Sequence, residues 1–417
     1  RRRTGIGKTE QIQGAGSSTV TIPSGTALNV TTVSGTPTFS GASTFSSDVT
    51  LPSINGGQIG GRRNVFINGA MQVFQRSTSE SSLGGSTGYF TADRIRFKPN
   101  STAGRFTSTK DSSAPNGFAN SLKLDCTTAD TSIGAGEYFF LSQKIEGQDL
   151  QHFAKGTSDA KPFTVSFYVK GNASATYTCE LYDEDNTRQI SKTFSVTTNW
   201  TRVELLFPAD TTGAFDNDNN SSMTFAIWLH AGTNYTSGTL NSSSWASATA
   251  ANRVSSSNTS FFDSTDRTFF LTGLQLETSS IVTPFEHRTF GEELTLCRRY
   301  YQRYGYPFTA FRNSTTYSWV DATIWFLCLP FDADDVVGSH ALPVEMRATP
   351  TATMTDAYIR LQNNGQNYNS GNTLQVNGSS TSHASLHIDT SAGLNATNVI
   401  SFTFNNSNGY YDLSAEL

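Results

Sequence analysis

The sequence predicts an all-β chain, and three observations predict it. Ser and Thr make up about a quarter of the 417 residues, alongside 34 Gly, 29 Phe and 15 Tyr, while Lys, Glu and Met are scarce. This usage suits strands with polar outer faces and aromatic inner ones. Short runs alternate apolar and polar residues between Gly, Ser, Asn and Pro, the period-2 signature of half-buried strands. A single segment shows helical periodicity. The predicted order is an intertwined N-terminal stalk (1–62) completed by other copies, a β-sandwich (63–288), a short linker helix (289–304) and a C-terminal β-sandwich domain (305–417).

The stalk is read from residues 14–61, whose single charged side chain is Asp48. Val20, Ile22, Leu28, Val30, Phe39, Phe45, Val49 and Leu51 carry its alternation. Each run is too short to bury a core within one chain. Several copies could complete one another as an intertwined β-structure; a flexible stalk is the alternative. From residue 62 the runs lengthen: Phe163–Lys170, Ala175–Tyr182, Arg202–Phe207, Met223–His230 and Thr268–Glu277 read as strands of an antiparallel sandwich. "DEDN" at 183–186 is a hairpin turn joining two of them. In "GLQLE", Leu274 and Leu276 are expected inward, Gln275 and Glu277 outward. Thr289 and Glu292 form a capping box, and Leu294, Cys297 and Tyr301 continue a helix, free to pack against its copies. Strands resume after Gly305, including "YSWVDATIWFLCLPF" and "SHASLHI".

Composition also disfavours some functions. A net charge of −5 supplies no basic footprint for nucleic acid. No window of about twenty apolar residues exists to insert in a membrane, and the first thirty residues lack a secretory signal's apolar stretch. Cys126, Cys179, Cys297 and Cys328 are scattered without metal-ligand or disulfide-framework spacing. No cofactor is expected.

Four stretches resemble a family of tailed-phage virion proteins, mostly tail fibres and related appendages. "NVFINGAMQVFQRST" (64–78) and "GYFTADRIRF" (88–97) resemble the opening of that family's jelly-roll domain. "FFLTGLQLETSSIVTPFEHRTFGEELTLCRRYYQR" (269–303) resembles its close and following helix, and is the most specific of them. "LPVEMRATPTAT" (342–353) and "YYDLSAEL" (410–417) resemble its distal β domain. The resemblance implies a homotrimeric protein of the virion tail, with other virion proteins as partners and jelly rolls of the carbohydrate-binding kind. The stalk's need for partner chains fits a trimer on independent grounds.

Candidate chemistry is sparse. Asp183, Glu184 and Asp185 sit together but in a hairpin tip, which is solvated and rarely shapes a cleft. Glu137 and Glu286 adjoin aromatic runs and read as structural. Asp216, Asp218 and Asn220 mimic the start of a calcium loop, but Ser221 stands where Gly is needed and Ile227 where Glu is needed. No metal is expected. The six histidines lie near no nucleophile motif; His383 and His387 share a strand. Asp93 and Arg94, adjacent on a strand-like run, read as makers of structural hydrogen bonds. No catalysis is expected.

Sugar binding needs aromatic faces beside hydrogen-bonding side chains. Tyr235 and Trp245, in a long polar insertion from Ala231 to Asp266, are candidates for a glycan or for a neighbouring subunit. Trp200 and Trp228 read as core. In the end domain, Tyr306 and Tyr317 flank turns and are further candidates for host polysaccharide. The basic head, Arg1, Arg2, Arg3 and Lys8, is either a frayed terminus or an anchor on an acidic patch of the particle. A tail fibre that recognises host glycan is the leading expectation; a purely structural head fibre or tail spacer is the other.

Overall fold

A computed structural model describes residues 62–305 without interruption, and beyond them 327–330, 335–355, 359–363, 366–370, 374–376, 380–389, 400–404 and 410–417. The expected stalk and basic head, with Arg1, Arg2, Arg3 and Lys8, lie outside the described residues, as do Tyr306 and Tyr317.

The alternating runs become thirteen strands of a sandwich. In order these are β1 (Ser79–Leu83), β2 (Gly88–Tyr89), β3 (Arg96–Asn100), β4 (Arg105–Asp111), β5 (Ser121–Thr128), β6 (Tyr138–Glu146) and β7 (Phe163–Gly171). They continue as β8 (Ala175–Asp183), β9 (Arg188–Val196), β10 (Thr201–Phe207), β11 (Ser221–Ala231), β12 (Ala246–Ser247) and β13 (Thr268–Thr278). One sheet has the order β1-β4-β5-β13-β7-β10 and the other β12-β9-β8-β11-β6-β3-β2. All pairings are antiparallel, and β13 crosses over to lie between β5 and β7. The five strands expected from the sequence are β7, β8, β10, β11 and β13, each within a residue or two. The 183–186 turn joins β8 to β9, where Asp183 faces Arg188.

Period-2 burial builds the core. Strand β6 sends Phe139, Leu141 and Ile145 inward, β11 sends Phe225, Ile227 and Leu229, and β13 sends Leu271, Leu274 and Leu276. Phe97, Phe106, Phe139, Phe261 and Phe262 stack into one aromatic cluster, with centroids 4.7–6.3 Å apart. The first and third stretches quoted above are neighbours: Val65 N donates to Leu276 O (2.9 Å) and Leu274 N to Gly69 O (2.9 Å). A Cβ on Gly69 would meet the Leu274 carbonyl oxygen at 2.2 Å, so no larger residue fits there.

Two expectations about this region are corrected. Gln275 and Glu277, placed outward by alternation, are buried as fully as their neighbours. The segment after β13 folds back over them: Thr283 N donates to Glu277 Oε1 (3.0 Å) and Glu286 N to Gln275 Oε1 (2.8 Å). Trp228 is buried as expected, in a small core cluster with Phe140 and Val254, but Trp200, also expected in the core, is only half-buried against Phe270.

Helix α1 is a single turn, Thr233–Thr236, in the long insertion. Helix α2, Phe290–Arg298, starts at the expected capping box, in which Glu292 N donates to Thr289 Oγ1 and Thr289 N to Glu292 Oε2 (2.8 Å). It is shorter than expected, because Tyr301 opens strand β14 (Tyr301–Gly305) instead of a further turn. It also docks on its own chain, with Cys297 and Tyr300 buried against Ile67 and Val73. Strand β14 pairs with β23 (Tyr410–Ser414), which pairs with β17 (Thr351–Thr355). The remaining strands, β15 (Leu327–Pro330), β16 (Asp335–Ala341), β18 (Ile359–Asn363), β19 (Gln366–Ser370), β20 (Leu374–Val376), β21 (His383–Asp389) and β22 (Ile400–Phe404), form one antiparallel sheet. No helix among the described residues is long and apolar enough to cross a membrane.

Candidate functional site

The insertion folds onto the sandwich and uses its aromatic residues there. Tyr235 rests against Tyr138 (5.3 Å) and Trp228 (5.4 Å) on the outer side of the seven-stranded sheet, half-buried. Trp245 is a correction. It is 6% exposed, packs on Phe163 at 5.3 Å and donates Nε1–H to Pro208 O (2.9 Å). An indole with both its face and its N–H satisfied inside the core offers no surface to a glycan or a subunit.

The carboxylates of the 183–186 turn are likewise occupied. Asp183, expected in a solvated tip, is fully buried and paired with Lys155 Nζ at 2.6 Å. Glu184 pairs with Lys144 (3.2 Å), and Asp185 accepts from Asp216 N (2.9 Å). Asp93 accepts from Gln75 N (2.9 Å), and Arg94 pairs with Glu416 while donating to Lys144 O (2.7 Å), the structural roles expected of them. Cys126, Cys179 and Cys297 are buried free thiols.

A cleft of about 370 Å³ opens where the sandwich edge meets the three-stranded sheet. Strands β1 and β2 bring Glu80 and Tyr89 to it, and β14 and β23 bring Tyr301, Arg303, Tyr410 and Asp412. The register explains the convergence: Arg303 faces Asp412, and Tyr301 faces Ser414, so alternate residues of both strands share one side. Tyr411 and Leu413, on the other side, are fully buried.

Arginine planes and phenol rings interleave there. The Arg303 guanidinium lies 3.6 Å from the Tyr410 ring centre, and that of Arg76 lies 3.6 Å from Tyr301 and 5.3 Å from Tyr89. Arg303 grips Asp412 with two parallel hydrogen bonds of 2.7 and 2.9 Å. Tyr89 donates its hydroxyl to Leu417 O (3.0 Å). Burial, with Glu416 adding to it, pushes the Tyr89 phenol up to about 12. Burial and then Asp412 raise that of Tyr301 as well. Burial works against the charge on Arg303, but its bonds to Asp412 outweigh this and raise its pKa. At neutral pH Tyr89 is therefore a neutral phenol and Arg303 a fixed guanidinium; Tyr301 lies buried beneath Arg76, so the partly exposed rings are those of Tyr89 and Tyr410. The sequence reasoning did not single these residues out, although Tyr89, Tyr301, Arg303, Tyr410 and Asp412 all fall in the stretches quoted for the family resemblance. The alternation of "YYDLSAEL", with Tyr410, Asp412 and Ser414 on one face, was the available signal.

Fold and cleft define an all-β protein built on an antiparallel sandwich with a solvent-facing aromatic cleft. Among solved structures it is similar to the enzymatically active domain of tailspike protein 4 from bacteriophage CBA120, at 13% identity and TM-score 0.26, over 51% of this chain but only 21% of that one. It is also similar to a carbohydrate-binding module, TmCBM61, solved with β-1,4-galactotriose (10% identity, TM-score 0.27, 52% of this chain and 100% of that one). A family 11 carbohydrate-binding module from Clostridium thermocellum is similar at 10% identity and TM-score 0.24, over 48% and 96% of the two chains. No protein-family model matches the sequence, and no curated protein matches it.

Proposed function

We propose that this chain is a non-catalytic virion appendage of a tailed phage, a homotrimeric tail fibre that attaches the particle to its host by binding surface polysaccharide. The observation that carries the reading is the cleft, where the rings of Tyr89 and Tyr410 stand beside Arg76, Arg303 and Asp412. Aromatic faces stack on the apolar faces of pyranose rings, and planar donors and carboxylates read the hydroxyls. The binding role is proposed without bond cleavage: of the two carboxylates lining the cleft, Asp412 is held at both oxygens by Arg303, and Glu80 is exposed at the rim. A trimer is supported by the low-charge alternation of residues 14–61, and three modest sites gain strength together through multivalency. Other virion proteins would hold the basic N-terminal head, with Arg1, Arg2, Arg3 and Lys8 as the contact.

The test is binding of purified protein to host cells and to their isolated envelope polysaccharide. Wild type should bind and Tyr410→Ala, correctly assembled, should lose binding. Tyr306→Ala and Tyr317→Ala, assayed alongside, report whether the end domain contributes. The burial of Trp245 favours the second reading, a purely structural virion protein, because it removes one exposed aromatic. Under that reading wild type binds no polysaccharide.

A further inference from the structure

His230 lies away from the cleft and has an unexplained ring nitrogen. Strand β11 sets it opposite Phe139 of β6, beside an irregularity in the pairing, and its side chain is fully buried. Phe262 packs edge-on against its ring at 5.4 Å. Nδ1 lies 2.8 Å from Ser260 Oγ, whereas Nε2 has no hydrogen-bond partner. Two carboxylates from the connection between β5 and β6 lie beside the ring: Asp130, itself buried, and Glu137, partly open to solvent, whose Oε2 is turned toward that nitrogen. One ligand atom from each of the three lies within 4.8 Å of the others. Nε2 and Glu137 Oε2 are 3.8 Å apart, beyond hydrogen-bonding reach.

The surroundings are built to hold these groups. Asp130 Oδ2 accepts from Thr102 Oγ1 (2.7 Å) and Ala103 N (2.9 Å), and Glu137 Oε2 accepts from Gly134 N (2.9 Å). The backbone of the same connection is tied down by Asp130 N to Phe262 O (2.8 Å) and Gly232 N to Glu137 O (2.8 Å). Among the described residues neither carboxylate pairs with a Lys or Arg. In the tautomer that carries its proton on Nδ1, as a donor to Ser260, the Nε2 lone pair is directed at the carboxylates, an arrangement that suits a cation between them.

We infer that Asp130, Glu137 and His230 form a divalent metal site of the zinc type, pinning the β5–β6 connection to the end of β11. One nitrogen and two carboxylate oxygens with water in a fourth position satisfy a tetrahedral ion, whose bonds are about 2.0–2.2 Å. Such bonds space ligand atoms roughly 3.4 Å apart, so from spacings of 3.8 to 4.8 Å the partly exposed Glu137 and the Asp130–His230 pair both draw in when the ion binds. Two carboxylates neutralise the ion, which suits a buried place. Calcium fits poorly, because it takes six to eight oxygen ligands and no imidazole.

The experiment uses the whole chain, stripped with a chelator and titrated with Zn²⁺ and with Ca²⁺ by calorimetry. Co²⁺ serves as a visible-absorption probe of four-coordinate geometry. Wild type should bind about one Zn²⁺ per chain and give Co²⁺ bands. Glu137→Gln keeps an oxygen to accept from Gly134 N and should fold as wild type, as read by circular dichroism, yet bind Zn²⁺ at least roughly tenfold more weakly. His230→Ala should abolish binding; should it fail to fold, Glu137→Gln alone decides. Absence of stoichiometric Zn²⁺ binding, equal affinity in Glu137→Gln, or a preference for Ca²⁺ overturns the assignment.

Discussion

Replacing Glu416 with Ala tests how the C-terminal strand is locked to the sandwich. Glu416 is nearly buried and pairs with two guanidiniums: Arg94, 1% exposed, and Arg76, whose Nη2 lies 3.0 Å from Oε1. Burial opposes the charge on Arg94, and Glu416 restores it and more. Without Glu416, Arg94 keeps only the Lys144 carbonyl at 2.7 Å and the face of Tyr300 at 3.4 Å. Arg76 falls back on Asp93 at 3.9 Å. Removing one partner of a buried ion pair costs about 3–5 kcal/mol, and the residual contacts of both arginines place Glu416→Ala at the lower end. A loss of that size lowers Tm by on the order of 10 °C in a domain of this size. The assay is urea and thermal unfolding of Glu416→Ala, Arg94→Met and the double variant. The double variant should be much less destabilised than the sum of the singles, because no charge is left stranded. A cost below about 1 kcal/mol for Glu416→Ala, or strict additivity, would refute the reasoning.

Asp93 gives a signed pH dependence. Burial pushes its carboxyl from 3.8 up to about 6, against the lowering effects of Arg76 and Gln75. The fold thus favours the protonated form, so this contribution is full below pH 4 and is lost as pH rises through 6, to the extent of about 3 kcal/mol. The stability of Asp93→Asn relative to wild type should therefore climb between pH 4 and 7; a difference that stays flat contradicts the shift. Gly69→Ala forces a Cβ to within 2.2 Å of the Leu274 carbonyl, and its midpoint of denaturation should fall by about 1–3 kcal/mol of stability. An unchanged midpoint would show that the segment around Gly69 can move off β13.

The sandwich was legible because its strands alternate cleanly and are bounded by turn residues, and the helix start because Thr289 and Glu292 spell a capping box. What alternation could not show is a second layer: Gln275 and Glu277 read as outward, yet the segment carrying Thr283 and Glu286 covers them. Trp245 misled for a related reason, since a polar loop folded its one indole back into the core. Asp183 likewise looked exposed until Lys155, far along the chain, was brought beneath the turn. The cleft and the cluster of Asp130, Glu137 and His230 join residues distant in sequence, and only the sheet registers bring them together.

Hydrogen exchange of the assembled protein, with and without oligosaccharides released from the host envelope, tests most directly whether the cleft is the glycan site. Slowed exchange confined to the backbone around Arg76–Glu80, Tyr89–Phe90, Tyr301–Arg303 and Tyr410–Ser414, absent in Tyr410→Ala, is the expected result. Protection elsewhere on the chain, with these segments unchanged, would contradict it.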